Sequence, residues 1–371
     1  MRTQAQNALL GLSLQELTGI VEGLGEPSYR GRQLFQAIYA ERKTGLSCIT
    51  TLPQNLRKSL EEKGFSVAFP RIEKKFTSSD GTIRYLLGFS DSQSVETVWM
   101  PEGDDGESGD GSEAAEPEGW QAGKFHRATI CVSSQVGCAV DCQFCMTALL
   151  GLKRNLTAGE IVGQVLAVLD ERGADVERER INLVFMGQGE PFLNYENFMK
   201  AVRLLSDPAG VGIPASRMTV STSGIVPRIY DFGKEEVRPK LAISLNASND
   251  QSRTQLMPIN KKWGLEKLLT AARDFPLRPR EKLTFEYVLL NGVNDSAVNA
   301  GQVAELLRGL CAKVNLIALN PGPDIPFSTP ADQRVQEFQK ILIQAGLPAY
   351  VRRPRGRDIY AACGQLKRSL A

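Results

Sequence analysis

Along roughly the first 63 residues, apolar positions recur three and four apart. Residues 14–24 form one amphipathic stretch, residues 29–39 place Leu34, Phe35 and Ile38 on one face, and residues 53–62 give a third helix. The period then changes. Residues 71–99 read as strand, and Asp80-Gly81 between residues 74–76 and 83–87 marks a hairpin. From Lys124 onward strand and helix alternate. Strands are expected at 128–133, 181–186, 218–222, 241–245, 283–290 and 314–319, with a late strand at 349–352. Helical patterns lie between them at 157–172, 196–205, 265–273, 297–307 and 332–345. The first of these opens with Thr157 and Glu160 in capping-box spacing and turns Ile161, Val162, Val165, Leu166 and Leu169 to one side. Six strand–helix units imply an α/β fold with a parallel sheet, doubly wound or a partial barrel.

The polar residues select one rim of that sheet. Gly187-Gln-Gly-Glu190, Ser221-Thr-Ser-Gly224, Ser244-Leu-Asn246 and Asn320 all stand at or just past the C-terminal ends of expected strands. Ligands bind there in parallel α/β folds.

Composition narrows the chemistry. No apolar stretch is long enough to cross a bilayer and no signal-peptide core opens the chain, so no membrane association is expected and the compartment is the cytoplasm. The chain holds one histidine, His126, which excludes a multi-histidine zinc site and leaves proton transfer mainly to carboxylates, thiols or water. Residues 101–119 contain eight acids and no base, so without them the net charge of +2 would be +10. That Gly/Asp/Glu/Ser-rich run cannot bury a core and is read as a disordered surface insertion, while the basic remainder permits nucleic-acid binding.

Seven cysteines, three of them in one short loop, do not resemble a disulfide scaffold in so long a chain. The run Cys138-Ala-Val-Asp-Cys142-Gln-Phe-Cys145 follows directly on the first strand of the parallel sheet. A C-x3-C-x2-C loop can ligate three irons of a 4Fe–4S cubane and leave the fourth open to chelate S-adenosylmethionine (SAM). Zinc would need a fourth ligand, and Cys131 projects from a strand rather than the loop.

This spacing is the signature of the radical SAM superfamily, and the surrounding residues resemble one family in it, RlmN. The resemblance rests on Thr129-Ile-Cys-Val-Ser-Ser-Gln-Val-Gly-Cys138, Arg154-Asn-Leu-Thr-Ala-Gly-Glu-Ile-Val-Gly-Gln-Val165, Gly189-Glu-Pro191, Ser221-Thr-Ser-Gly224, Pro258-Ile-Asn-Lys-Lys262 and Asp358-Ile-Tyr-Ala-Ala-Cys-Gly-Gln365. It covers nearly the whole chain and extends to Tyr29-Arg-Gly-Arg32. It implies a partial (βα)6 TIM-like radical SAM barrel (120–371), preceded by an N-terminal accessory RNA-binding module of helices and a β-hairpin (1–95).

The activity implied is methylation of carbon 2 of an adenine in 23S rRNA, and of one beside the anticodon in tRNA. That carbon lies between two ring nitrogens and is too electron-poor to attack SAM as a nucleophile, hence the radical route. By resemblance, Cys363 takes a methyl group from one SAM, a second SAM is cleaved at the cluster held by Cys138, Cys142 and Cys145, and Cys131 closes a disulfide with Cys363 as product leaves. Glu96 matches the family's proton acceptor. Gly189, Glu190, Ser221, Ser244, Leu245, Asn246 and Asn320 match the SAM site. The family's loop usually reads Gly-Met-Gly-Glu-Pro where Gln188 stands here, and usually has histidine at the position of Asn246. A monomer served by an electron donor such as flavodoxin or ferredoxin completes the expectation.

Taken singly, several of these residues have plainer readings. Cys131 on a strand is ordinarily core packing, Cys363 after two alanines a helix-face filler, and Glu96 a solvated strand position. Cys48 and Cys311 are read as structural. Candidate RNA contacts are Lys153, Arg154, Arg352, Arg353, Arg355 and Arg357, with Arg30 and Arg32 in the helical module. Two other functions fit the same residues: methylation at carbon 8 of adenine, as in the related methylase Cfr, or a non-catalytic iron–sulfur RNA-binding or assembly factor.

Overall fold

The computed structural model describes residues 7–101, 127–362 and 364–366. The acidic run beyond Pro101, His126 and Cys363 lie outside the described residues.

Three helices open the chain: α1 (Leu14–Glu22), α2 (Tyr29–Tyr39) and α3 (Gln54–Glu62). Ser13 caps α1 in a capping box with Glu16, as the sequence Ser-x-x-Glu requires. Leu17, Val21, Leu34, Phe35 and Ile38 are fully buried in one core shared with the rest of the molecule. Gly11 and Gly159 let two backbones touch, since a Cβ on Gly11 would come within 2.5 Å of the Gly159 nitrogen.

Strands β1 (Arg71–Thr77), β2 (Ile83–Gly88) and β3 (Ser94–Pro101) follow, then β4 (Arg127–Cys131). A small hairpin of β5 (Gln135–Val136) and β6 (Arg154–Asn155) precedes α4 (Ala158–Arg172) and β7 (Arg180–Phe185). Then come α5 (Tyr195–Ser206), β8 (Met218–Thr222), α6 (Val226–Gly233), β9 (Lys240–Ser244), α7 (Asp250–Leu256), α8 (Leu265–Asp274) and β10 (Leu283–Leu289). The last elements are α9 (Ala297–Leu306), β11 (Ala312–Ala318), α10 (Asp332–Gln344) and β12 (Ala349–Val351).

Strands β4, β7, β8, β9, β10, β11 and β12 pair in that order, all parallel. Helices cross between each successive pair, which is the expected (βα)6 partial barrel with a closing strand. Thr157 and Glu160 form the anticipated capping box on α4, and Gly173 ends it in the left-handed conformation.

One boundary is corrected. The N-terminal module drawn to residue 95 would cut β3 after its second residue, yet β1–β2–β3 is an antiparallel extension of the barrel's own sheet, with β3 paired to β4. Ladder bonding along the free edge of β4 decides this, because an unpaired buried strand edge is costly. The hairpin therefore belongs to the barrel, and the helical part ends with α3. No helix among the described residues is long and apolar enough to cross a membrane.

Candidate active site

The cysteine loop is closed at its neck by the β5–β6 hairpin. Gly137 (φ +78°) passes so close to the Gly151 carbonyl that no side chain fits. Inside the loop Asp141 takes a left-handed conformation (φ 57°), which aspartate tolerates, and the Cys145 amide donates to the Cys142 carbonyl at 3.0 Å. The Gln143 amide ties the loop to the Leu256 carbonyl at 2.9 Å. Phe144, Leu256, Met257, Leu290 and Leu319 form an apolar shell against Cys142 and Cys145.

Cys138, Cys142 and Cys145 line one cavity together with Gly189, Glu190, Ser221, Ser223, Ser244, Asn246, Glu286 and Asn320. The space among these residues is open to solvent and amounts to about 970 Å³ with its mouth included. The cavity sits at the C-terminal ends of the parallel strands, on the rim marked by the polar residues. Burial pushes the Cys138 thiol up to about 12, and raises Cys142 well above its usual range, with the neighbouring cysteines and Glu190 adding to both. Metal ligation must therefore displace protons from these sulfurs.

The structure divides the predicted SAM residues. Glu190 is buried, its two carboxylate oxygens accepting from the Phe192 amide (3.0 Å) and the Ser223 amide (2.7 Å). Burial raises its pKa, opposed by those bonds. It staples the loops after β7 and β8 and still faces the cavity. The Ser221 and Ser244 hydroxyls meet at 3.3 Å. Asn246 (φ 56°) lines the cavity, but its amide oxygen accepts from the Val288 amide at 2.8 Å and its Nδ2 donates to Met257 Sδ at 3.2 Å. It is thus tethered by the barrel. Leu245 is a correction: its side chain is in the core, away from the cavity, its amide donates to Glu286 O and its carbonyl accepts from Arg253. Gln188 is buried and does not line the cavity; its Oε1 accepts from the Glu96 amide at 3.4 Å. The departure at Gln188 from the usual loop sequence is therefore turned toward β3.

Gly189 (φ +100°) is required at its position. A Cβ there would lie 2.6 Å from Gln135 Cβ and 2.7 Å from its nitrogen. Gly189→Ala is expected to cost at least about 1 kcal/mol of stability and to weaken SAM binding about tenfold or more, as measured by thermal melting and by equilibrium binding to reconstituted protein.

Cys131 and Glu96 do not line the cavity but stand behind its wall. Cys131 is buried among Val98, Val184, Ala361 and Leu366, with Met186 joining this group to the cavity lining. Glu96 on β3 is ion-paired with the buried Arg84, whose guanidinium lies 4.3 Å from the Phe76 ring centre. Residues on both sides of position 363 reach the site. Gly364 lines the cavity and its carbonyl accepts from the Met146 amide at 2.8 Å. Ala361 and Leu366 touch the Cys131 group.

The donor set suits the cofactors that the sequence implies. Among the described residues, no three histidine, cysteine, aspartate or glutamate side chains are grouped to hold a single metal ion. The three thiols instead ring a cavity with an apolar back wall, as a polynuclear cluster needs. Beside them the buried Asn320 Nδ2 and Ser223 Oγ have no hydrogen-bond partner in the protein, and such groups are satisfied by a polar ligand.

Comparison with known proteins agrees with this geometry. Residues 132–300 match the radical SAM superfamily, and residues 7–65 match the ribosomal RNA large subunit methyltransferase N-terminal domain. A probable dual-specificity RNA methyltransferase RlmN of Koribacter versatilis is 69% identical over 94% of this chain and 98% of its own length. The chain belongs to the RlmN family. The RlmN of Syntrophobacter fumaroxidans is 42% identical over 95% of this chain and 96% of its own. The crystal structure of a radical SAM methyltransferase from Sphaerobacter thermophilus superposes with a TM-score of 0.86 at 43% identity, covering 97% of this chain and 98% of that one. Membership in RlmN, a radical SAM family, makes one 4Fe–4S cluster and SAM the cofactors of this chain.

Two further residues of this RlmN chain shape the site. Glu286, buried on β10, lines the cavity with Asn315 Nδ2 donating to it at 3.0 Å, and burial raises its pKa. A lone carboxylate inside the apolar run Leu283–Leu289 was the available signal. Arg253 is fully buried on α7 and donates to the carbonyls of Ser223, Ser244 and Leu245 and to Asn260 Oδ1. Nothing in its local sequence marks it, but it explains Asn260 in the Pro258-Ile-Asn-Lys-Lys262 motif. Of the basic candidates for RNA, Arg154 is already committed to Asp91 and Glu160, at 2.6 and 2.7 Å.

Proposed function

We propose that this chain methylates carbon 2 of an adenine in 23S rRNA, and of an adenine beside the anticodon in tRNA, with Cys363 as methyl carrier. One observation carries the reading: the neighbours of Cys363 reach both the cavity ringed by the cluster cysteines and the buried Cys131. Cluster and SAM together supply methyl groups and a hydrogen-abstracting radical, which the electron-poor carbon requires. The protein's own residues do the rest. Cys138, Cys142 and Cys145 hold the cluster. Glu190, Ser221, Ser223, Ser244 and Asn320 offer carboxylate, hydroxyl and amide groups to the amino-acid and ribose parts of SAM. Backbone groups after β7 and β8 fix the two rim loops through Glu190.

Cys363 takes the methyl group on sulfur and presents it to the adenine. Glu96, held on β3 by Arg84, accepts the ring proton. Cys131 as thiolate attacks the sulfur of Cys363 and forms a disulfide, while the transferred carbon leaves with the bonding pair and takes up a proton, completing the methyl group on the adenine. Two electrons and two protons from a reductant then restore both thiols. A small electron carrier of the flavodoxin or ferredoxin class serves the cluster. The target base must leave its stack to enter so recessed a site, which favours loops and unpaired RNA. Exposed Lys153, Arg32 and Arg357 are suited to phosphate contact.

The test is anaerobic reconstitution with iron and sulfide, followed by incubation with SAM, reductant and RNA lacking the modification. Mass mapping is expected to place one methyl group on carbon 2. A methyl group on carbon 8 would transfer the chain to Cfr-type chemistry, and reconstituted protein that binds RNA without methylating it would make it a binding factor.

A further inference from the structure

The loop between β1 and β2 does more than reverse the chain. The Ser78 amide donates to Thr82 O at 2.8 Å, Asp80 Oδ1 accepts from the Thr82 amide at 2.9 Å, and Gly81 takes φ +82°. This turn leaves Ser78 Oγ, the Ser79 amide and Asp80 Oδ2 facing outward. All three are taken by the chain's far end. Asp358 Oδ1 accepts from Ser78 Oγ at 2.5 Å, its Oδ2 accepts from the Ser79 amide at 3.1 Å, and the Gly356 amide donates to Asp80 Oδ2 at 2.9 Å. Gly356 sits so tightly that a Cβ would be 2.7 Å from Ala361 Cβ and 3.0 Å from Thr82 Cγ2. The Ser78 hydroxyl and Ser79 amide hold Asp358 below the usual carboxylate range. Burial works against the same effect at Asp80, where the Gly356 and Thr82 amides prevail.

Residues 356–362 contain only one short 3-10 turn, Arg357–Ile359, so their path is set by such side-chain bonds rather than by a helix or ladder. On the other side of position 363, Met146 N bonds Gly364 O, Thr147 Oγ1 bonds Leu366 O at 2.7 Å, and Gln365 Nε2 reaches Asn320 O at 3.3 Å. The chain is thus moored on both sides of position 363, before it to the hairpin turn and after it to the cluster loop.

We propose that the β1–β2 turn is the mooring that positions Cys363 for methyl transfer, with Asp358, Ser78 and Asp80 as positioning residues. The proposal rests on Cys363 being the methyl carrier. It assigns a role to the aspartate of the Asp358-Ile-Tyr-Ala-Ala-Cys363 motif and to the serine–aspartate turn together. Misplacing a reacting group by about 1 Å can cost about 100-fold in rate.

The experiment uses the full-length, cluster-reconstituted protein as wild type, Asp358→Ala, Ser78→Ala and the double variant. Asp358 is exposed, so its replacement leaves the fold intact. Three quantities are read: the rate at which Cys363 gains the mass of one methyl group in place of a hydrogen in the absence of RNA, kcat and KM for RNA, and hydrogen exchange over residues 356–362. Each single variant is expected to slow Cys363 methylation and kcat about 10-fold or more, with KM for RNA unchanged and exchange accelerated. The double variant should be no slower than the slower single one, because both remove the same mooring. Wild-type methylation rates in Asp358→Ala overturn the proposal, whether or not exchange changes. If wild-type protein never gains a methyl group on Cys363, the carrier reading fails, and unchanged exchange in Asp358→Ala would separately remove the mooring.

Discussion

Cys363→Ala is expected to abolish RNA methylation while leaving cluster assembly and RNA binding at wild-type levels. The argument is chemical. Alanine has no atom that can accept a methyl group from SAM, and no other cysteine is placed to substitute. Cys131 is buried among Val98, Val184 and Leu366, while Cys48 and Cys311 are exposed in other parts of the fold. The three cluster ligands are set by their own loop, closed at Gly137 and fastened at Leu256 O, so they do not depend on the thiol at 363. Losing one sulfur there should change stability by no more than about 1 kcal/mol. Iron and sulfide content, the visible absorbance of the cluster, RNA affinity and mass mapping of methylated adenine check the four parts separately. Full methylation by Cys363→Ala would end the methyl-carrier reading and leave the cluster assignment standing. Loss of the cluster as well would mean that position 363 acts on assembly.

The same contrast between local and distributed signals explains how much the sequence could disclose. The parallel strands and their longer helices were legible because each carries its own period, and the cluster loop because three thiols lie within eight residues. Helices α6 and α7 escaped, being eight and seven residues long with polar faces. The rim was visible as polar residues after strands, yet which of them face the cavity was not. Leu245 stands between two cavity residues and points into the core, as alternation along an extended segment demands. The extent of the sheet was misjudged at β3 because strand pairing is a non-local choice, made by β4 across a segment of 25 intervening residues. Buried hubs are the hardest to see. Asn246 and Arg253 owe their importance to partners far from them along the chain, and one sequence does not say which segments meet.

Arg253 gives the second large effect: Arg253→Met should destabilise the protein by about 3–5 kcal/mol and sharply weaken SAM binding. Two terms oppose each other. Burial brings the guanidinium down to about 10, a cost to the folded state of about 3 kcal/mol at about 1.4 kcal/mol per pH unit. Methionine of similar length would recover that cost. Against it stand four acceptors: Ser223 O at 2.7 Å, Ser244 O at 3.0 Å, Leu245 O at 3.1 Å and Asn260 Oδ1 at 2.9 Å. Each would be left buried without its donor, at about 1–3 kcal/mol apiece and more for bonds to a charged group. The acceptors win. The loss also falls where function is concentrated, since those carbonyls belong to the ends of β8 and β9 and the loops that follow, where Ser221, Ser223 and Ser244 line the cavity. Glu190 holds the β8 loop through the Ser223 amide and Arg253 holds it through the Ser223 carbonyl, so the variant would lose the second of these. Thermal or urea unfolding and equilibrium SAM binding on reconstituted protein measure the two consequences. Arg253→Lys can reach some but not all four acceptors from one ammonium and should fall between wild type and Met. Stability of Arg253→Met within 1 kcal/mol of wild type, with unaltered SAM affinity, would show that the rim loops are held by Glu190 and their own backbone, with the guanidinium contributing nothing net.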